Sequence, residues 1–511
     1  MKTRTNQQSK RTGRILPAVG IGVVCLISAV AFLCFVAARW YVSVYGRIGF
    51  DSVLYTLTSS LGGVQSGLVL EFLTGAGLPA LVCTAAVGLL LFLPWKKLRQ
   101  WRSRRTVAAC ISLALSLVLI IHAAFHVQLV DYIISMSRES EIYQDHYKDP
   151  SRAQITFPEE KRNLIYIMLE SMETSYLSKE QGGALDYNLI PELYALAQEN
   201  INFSHNQDVG GFREVAGASW TIGSMVAHTA GVPLKVPDGI TDWQNGYGKD
   251  GSFLPGLTNL HTVLKENGYY QALMVGSDAD FGGRETYYET HGVDKIYDIA
   301  TAKHDGIVPF NYFVWWGMED KHLFEYAKQE LTEISQQDQP FAFTMLTVDT
   351  HHVGGYACEY CGSDYEENYE NVISCSSRQV AAFVDWIRQQ DFYENTTIVI
   401  TGDHCSMDKG YFSRNVEEDY TRHIYNCFIN AAAQPSQTVN RQFSAVDMFP
   451  TTLAAMGCTI AGDRLGLGVN LFSRQPTLME RMGYAEFNNE LTGKSDFYAE
   501  HFYGEADIPT T

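Results

Sequence analysis

Three apolar runs stop abruptly at residues that handle metal ions and phosphoryl groups. Asn163 to Glu170 (NLIYIMLE) closes on a glutamate, and Thr396 to His404 (TTIVITGDH) closes on an aspartate and a histidine. Pro340 to Thr350 (PFAFTMLTVDT) leads into the doublet His351 and His352. Carboxylate oxygens with an imidazole nitrogen suit zinc or manganese, and magnesium less well because of the nitrogen. Glu170, Asp403 and His404 would supply three ligands to such an ion, and the geometry calls for a fourth. A further stretch, Gly217 to Leu234 (GASWTIGSMVAHTAGVPL), sets Ser219, Trp220 and Thr221 at the head of a small-residue and apolar run. A helix starting near Thr221 would aim its first N–H groups past that hydroxyl, making an anion site that the threonine also caps. A free threonine alcohol is a weak nucleophile at neutral pH, but coordination to a divalent metal activates it. Residue chemistry alone leaves Ser219 and Thr221 both open, as cap or as nucleophile.

Such groups act together only if one scaffold collects the ends of the runs. Continuous apolar runs bounded by polar residues read as buried parallel strands, and Tyr269 to Ser277 (YYQALMVGS) is a fourth of the same kind. Helical patterns separate them: PELYALAQEN, GLTNLHTVLKENGY, MEDKHLFEYAKQELTEISQQ and SSRQVAAFVDWIRQQ. The alternation predicts an α/β domain with a mainly parallel sheet sandwiched by helices. Ligands of such sheets bind beyond the carboxyl ends of the strands, where Glu170, His351, Asp403 and His404 all stand.

At 511 residues the chain exceeds one ordinary core. Residues 15–38, 73–95 and 107–127 are apolar stretches of about 20 residues, enough to cross a hydrocarbon layer as helices. Residues 1–127 therefore read as a membrane region with three transmembrane helices. Lys2, Arg4, Lys10, Arg11 and Arg14 precede the first span, and Lys96, Lys97, Arg99, Arg102, Arg104 and Arg105 join the second to the third. That bias puts the N-terminus in the cytoplasm and everything after residue 128 outside. Residues 128–162, polar and carrying Pro150 and Pro158, read as a stalk on the membrane surface, and 163–511 as the extracellular or periplasmic domain. Of 38 Lys and Arg and 57 Asp and Glu, 13 basic and 2 acidic residues lie up to Val127, leaving 25 and 55 after it. A domain that acidic excludes nucleic acid as a partner. Cys358, Cys361 and Cys375 read as a disulfide-bearing loop, because no fourth thiol is near enough for a closed zinc site.

The motifs resemble those of the metal-dependent sulfatase and alkaline phosphatase superfamily, and within it the membrane phosphoglycerol transferases, lipoteichoic acid synthases included. The sulfatase signature, C-x-P-S-R followed by L-x-T-G, has its nucleophile ten residues before that Gly and three before the Ser. Thr221 stands ten before Gly231 and three before Ser224, so the spacing selects Thr221 over Ser219. The modified Cys and the Pro-x-Arg pattern of sulfatases are absent, which turns the resemblance away from sulfate esters and toward phosphoryl transfer. NLIYIMLES, WTIGSMVAHTAGVPL, TVDTHH, TGDHCS, DMFPTTLAAMGC and DRLGLGVNLF carry it over roughly residues 163–472. It implies one divalent cation, manganese with zinc or magnesium as alternatives, held by Glu170, Thr221, Asp403 and His404, with Thr221 also the nucleophile. It further implies that Arg284 neutralises the phosphate, that His351 or its neighbour His352 binds substrate, and that Trp220 lines the pocket. The activity implied is transfer of phosphoglycerol from phosphatidylglycerol to a cell-envelope glycan or polyglycerol-phosphate acceptor through a phosphoglycerol-threonine. A phosphoethanolamine transferase, another hydrolase of the superfamily and a non-catalytic envelope-binding protein are the alternatives.

Overall fold

The computed structural model describes residues 2–45, 50, 53–54, 70–92, 101–235, 251–315 and 317–503. The chain divides into two compact units, Met1–Phe50 with Val64–Ile133, and Asp51–Gly63 with Ile134–Thr511.

The smaller unit is built on helices α1 (Lys2–Tyr45), α2 (Leu78–Phe92, entered through a π-turn at Leu73–Gly77) and α3 (Trp101–His126). Within them Gly20–Val44, Leu70–Leu91 and Thr106–His126 are long and apolar enough to cross a membrane. The first of these runs past the expected 15–38, and positions 93–95 of the second expected span lie outside the described residues. Small side chains such as Ala31 and Ala76 are fully buried between helices, while Leu26, Leu81 and Ile111 are more than half exposed. That distribution suits helices whose outward faces meet hydrocarbon rather than water.

The larger unit is organised by a seven-stranded mixed sheet. Its strands, in chain order, are β1 (Asn163–Leu169), β2 (Gly211–Phe212), β3 (Tyr270–Val275), β4 (Lys295–Tyr297), β5 (Phe341–Leu346), β6 (Thr396–Gly402) and β7 (Ile424–Ile429). Across the sheet they run β2-β7-β6-β1-β5-β3-β4. The five from β6 to β4 are parallel, and β7 is antiparallel to both its neighbours. The four long strands expected from the sequence all form, whereas β7 (IYNCFI) and the short β2 and β4 were not anticipated. A six-residue apolar run without alternation has no period to separate strand from buried helix, and β7 takes its identity from pairing with β6.

Six helices matter for the site: α4 (Pro191–Glu199), α5 (Thr221–Ala230), α6 (Arg284–Thr290), α7 (Asp320–Ile334), α8 (Asn368–Arg388) and α9 (Met448–Ala455). Alternate residues of β1 serve the two faces of the sheet. Leu164, Tyr166 and Met168 belong to a core with Met225 and Val226 of α5 and Phe449 and Leu453 of α9. Ile165, Ile167 and Leu169 join a second core with Leu193 of α4, Leu323 of α7 and Val380 of α8. Each such fully buried side chain contributes about 1.5–3 kcal/mol, so the central strand that ends at Glu170 is among the best-anchored parts of the molecule. Residues from Ile134 onward, expected as part of a stalk, are built into this unit: Ile142 and Tyr143 lie in the first core, and Ile155–Thr156 pairs with Thr459–Ile460.

Candidate metal and phosphoryl site

Register brings the metal-type residues together. Leu169 is aligned with Gly402 and Met168 with both Thr401 and Leu346, so Glu170 and Asp403 leave adjacent strands side by side. A side chain at Gly402 would strike the Met172 carbonyl oxygen at 1.9 Å, so only glycine lets the β1 loop close over the end of β6. Ser171, directly after Glu170, holds a left-handed backbone at φ 55°. Its amide donates to Asp403 Oδ1 at 2.8 Å and its hydroxyl to Glu170 Oε1 at 2.7 Å.

His404 Nε2 lies 3.3 Å from Asp403 Oδ2 and 3.6 Å from Glu170 Oε1. The other ring nitrogen, Nδ1, is 2.9 Å from the Cys405 carbonyl oxygen, so it must donate there, and Nε2 is the nitrogen that faces the carboxylates and would ligate a cation after losing its proton. The Thr221 hydroxyl donates to Glu170 Oε2 at 3.5 Å, the outer limit of a hydrogen bond. Asp403 Oδ2 is buried with no hydrogen-bond partner. Ligands at about 2.1 Å in a tetrahedral site are separated by about 3.4 Å, which the 3.3 and 3.6 Å from His404 Nε2 to the two carboxylates match. The donor set therefore fits a divalent cation, and the orphaned carboxylate oxygen is the group such an ion would satisfy.

Electrostatics agree. Burial, and then the charge of Glu170, pushes the Asp403 carboxyl up to about 7. Burial opposes a charge on His404, but the carboxylates of Asp403 and Glu170 outweigh it and raise the imidazole to about 9. A pocket that draws protons onto both groups is short of positive charge, which a bound cation supplies directly.

Thr221 is the first residue of α5, and the N-cap is Trp220, with no side-chain cap bond. The expectation that Thr221 caps the helix is thus corrected: its hydroxyl is turned toward Glu170, not back onto the helix amides. Gly231 ends α5 in a left-handed conformation, φ 66°, so the ten-residue spacing is the length of this helix from first residue to C-cap. Trp220 itself is 2% exposed and packs in the core, which leaves little of it to line a pocket. Ser224, one turn on, donates to the Asp403 carbonyl oxygen and ties the helix to the metal-type loop.

Arg284 begins α6 and is buried, not displayed on a surface loop. Its guanidinium donates to Ser277 Oγ at 2.9 Å and to the Asp278 carbonyl, at the carboxyl end of β3. His351 is half-buried beyond β5, with Nδ1 donating to the His352 carbonyl at 2.7 Å and its ring stacked on that of His352 at 4.5 Å. Burial lowers His351 to about 4, assisted by the charges of His404 and Arg284, so a neutral imidazole faces the same end of the sheet. His352 is lowered too, by burial and by its neighbour His351.

Two carboxylates that residue patterns did not single out support the loop after His404. Glu173 accepts from the Ser406 amide at 3.0 Å and pairs with Arg422 through two guanidinium nitrogens, while Glu214 accepts from the Cys405 amide at 2.9 Å. Arg422 also donates to the Ser406 carbonyl at 2.7 Å and sets its Cζ 3.6 Å from the centre of the Phe412 ring. The only sequence hint was the proximity of Glu173 to Glu170 in LESMET; nothing marks Arg422, some 250 residues away, as its partner. In the disulfide-type loop, Cys358 Sγ lies 3.7 Å from Cys361 Sγ and 3.8 Å from Cys375 Sγ, thiols in contact but not bonded.

Residues 162–458 match the family model described as Sulfatase. Proteins named phosphoglycerol transferase I, from Escherichia coli and from Shigella boydii, are 30% identical over 434 residues, 83% of this chain and 53% of theirs. The chain spans about half the length of these curated relatives. Among solved structures, the integral membrane protein lipooligosaccharide phosphoethanolamine transferase A from Neisseria meningitidis superposes with a TM-score of 0.51 at 14% identity. That match covers 85% of this chain and 84% of the other, and it shows a shared fold.

Proposed function

Since the chain belongs to the sulfatase family, we propose that it transfers phosphoglycerol from phosphatidylglycerol to an envelope glycan or polyglycerol-phosphate acceptor, with Thr221 as nucleophile. The observation that carries this reading is the Thr221 hydroxyl at the first turn of α5, facing Glu170 inside a buried Glu, Asp and His cluster. The choice of donor is supported by the relatives named phosphoglycerol transferase I.

Thr221 Oγ1 attacks the phosphodiester phosphorus, the bond to the diacylglycerol oxygen breaks, and diacylglycerol leaves with a proton. An acceptor hydroxyl then attacks the same phosphorus and frees Thr221. Glu170, Thr221, Asp403 and His404 would hold a divalent cation, manganese by preference, which would supply Lewis acidity to the threonine hydroxyl and offset charge on the phosphoryl oxygens. Glu170 Oε2 orients the hydroxyl, and the amides at the start of α5 present an anion site to the phosphoryl group. Arg284 adds positive charge at the neighbouring strand end, and neutral His351 stands beside it on the substrate side. In this reading α1 to α3 span the membrane with the N-terminus in the cytoplasm and the catalytic unit outside, where the donor headgroup is reached without a nucleotide.

Incubating the full chain in vesicles with phosphatidylglycerol and manganese, then mapping peptides by mass spectrometry, tests donor and nucleophile together. A phosphoglycerol adduct on the Thr221 peptide is expected. An adduct formed only from phosphatidylethanolamine would move the protein to phosphoethanolamine transfer, and binding of lipid without any adduct or turnover would remove the enzymatic reading.

A further inference from the structure

Phe310 and Phe313 are 88% and 86% exposed, the most exposed large apolar side chains among the described residues. Single exposed apolar residues are ordinary, but two phenylalanines in one short excursion beside Tyr312 and Trp315 form a patch that asks for a partner. The excursion is firmly held at its base. Val308 and Met318 at its two ends are buried, the Met318 amide donates to the Gly276 carbonyl at 2.7 Å, and Tyr312 Oη donates to Glu319 Oε2 at 2.7 Å. Trp315 sets its ring edge-on to His351 at 5.9 Å and stacks on Tyr356 at 5.9 Å. The loop thus stands at the rim of the candidate site, between the end of β3 that carries the Arg284 contacts and the loop that carries His351. That second loop exposes Val353 and Tyr360 as well, at 55% and 60%.

We propose that this loop inserts Phe310 and Phe313 into the interfacial layer of a phospholipid bilayer and so seats the rim of the site on the membrane. A bilayer is the occupant the chain itself calls for. Three stretches are long and apolar enough to cross one, and the main segment of the larger unit starts at Ile134, eight positions after the end of the span at His126. Residues 127–133 are the whole connection between that span and this segment. Aromatic side chains favour the headgroup and acyl boundary of a bilayer. Apolar surface continuous with His351 would place a lipid phosphodiester next to Thr221, and that consequence rests on the phosphoglycerol-transfer reading; the insertion itself does not.

Two measurements on the full chain in nanodiscs decide it. With phosphatidylcholine carrying a photoreactive diazirine in its acyl chains, irradiation is expected to label peptides covering residues 309–314 as well as the three apolar helices. Labelled helices with an unlabelled loop would overturn the insertion. The double variant Phe310→Ser/Phe313→Ser is expected to lose about ten-fold in kcat/KM on bilayer phosphatidylglycerol while changing less than about two-fold on monomeric dihexanoyl phosphatidylglycerol. Equal losses on both donors, or none on either, would mean that the loop does not act through the bilayer. If the wild type turns over neither donor, the transfer reading fails and the crosslinking result alone decides the insertion.

Discussion

Replacing Glu173 by glutamine isolates what the buried support beneath His404 does. Glu173 is fully buried, accepts from the Ser406 amide and holds Arg422 through both Nε and Nη2. Glutamine keeps the volume and one acceptor oxygen, but it removes the charge and turns an N–H₂ group toward a guanidinium that is 27% exposed. Breaking a fully buried ion pair from one side costs about 3–5 kcal/mol; partial hydration of Arg422 brings the expectation here to about 2–3 kcal/mol. For a unit of this size that corresponds to a fall in melting temperature of roughly 2–4 °C. The larger consequence concerns position. Ser406 and Cys405 follow His404 directly, and a shift of about 1 Å at a reacting centre costs on the order of 10²-fold in rate. Differential scanning fluorimetry of the full chain in detergent gives the first quantity, and metal titration with turnover on phosphatidylglycerol gives the second. Loss of metal affinity and kcat with KM little changed is the expected pattern. A variant that melts within 1 °C of the wild type and binds metal equally would refute the claim that Glu173 holds the loop.

Thr221→Ala is expected to abolish turnover, by at least about 10³-fold, with a stability change below about 0.5 kcal/mol because the hydroxyl caps nothing; a melting shift of about 1–2 °C would restore the cap. Manganese or zinc at a hundred times its Kd should stabilise the wild type by about 2.7 kcal/mol, and His404→Ala should abolish that response in calorimetry. Asp349 is buried with neither carboxyl oxygen hydrogen-bonded, and burial, then the neighbouring Asp320, pushes it up to about 10. Its folded-state pKa lies above the unfolded value near 4, so the folded chain holds the extra proton between the two. Stability should therefore fall as pH rises across that window, by at most ~1.4 kcal/mol per pH unit. Asp349→Asn should flatten the decline in unfolding measured between pH 6 and 9, and an unchanged slope would mean that Asp349 is not the group responsible.

Much of this protein was legible in its residues because local physics wrote it there. Continuous apolar runs that stop at Glu170 and Asp403 have no stable place except the middle of a covered sheet, and a ligand site then falls at their ends. The separation of Thr221 from Gly231 could be read as a motif because it is the length of one capped helix. Apolar length likewise marked three helices able to cross a membrane. Decisions that depend on pairing at long range could not be read the same way. Whether Ile424–Ile429 was strand or helix was settled by β6, and the register of Leu169 with Gly402 put Glu170 beside Asp403. Burial, which no single residue type announces, took Trp220 into the core and enclosed the Arg284 guanidinium. The partnership of Glu173 with Arg422 exists only because the segment leaving the end of β1 runs beside the start of antiparallel β7, where Glu173 bridges Ile424. Periodicity and composition carry the preferences of single segments, whereas ion pairs, orphaned oxygens and the direction of a hydroxyl are properties of neighbours that only the folded chain brings together.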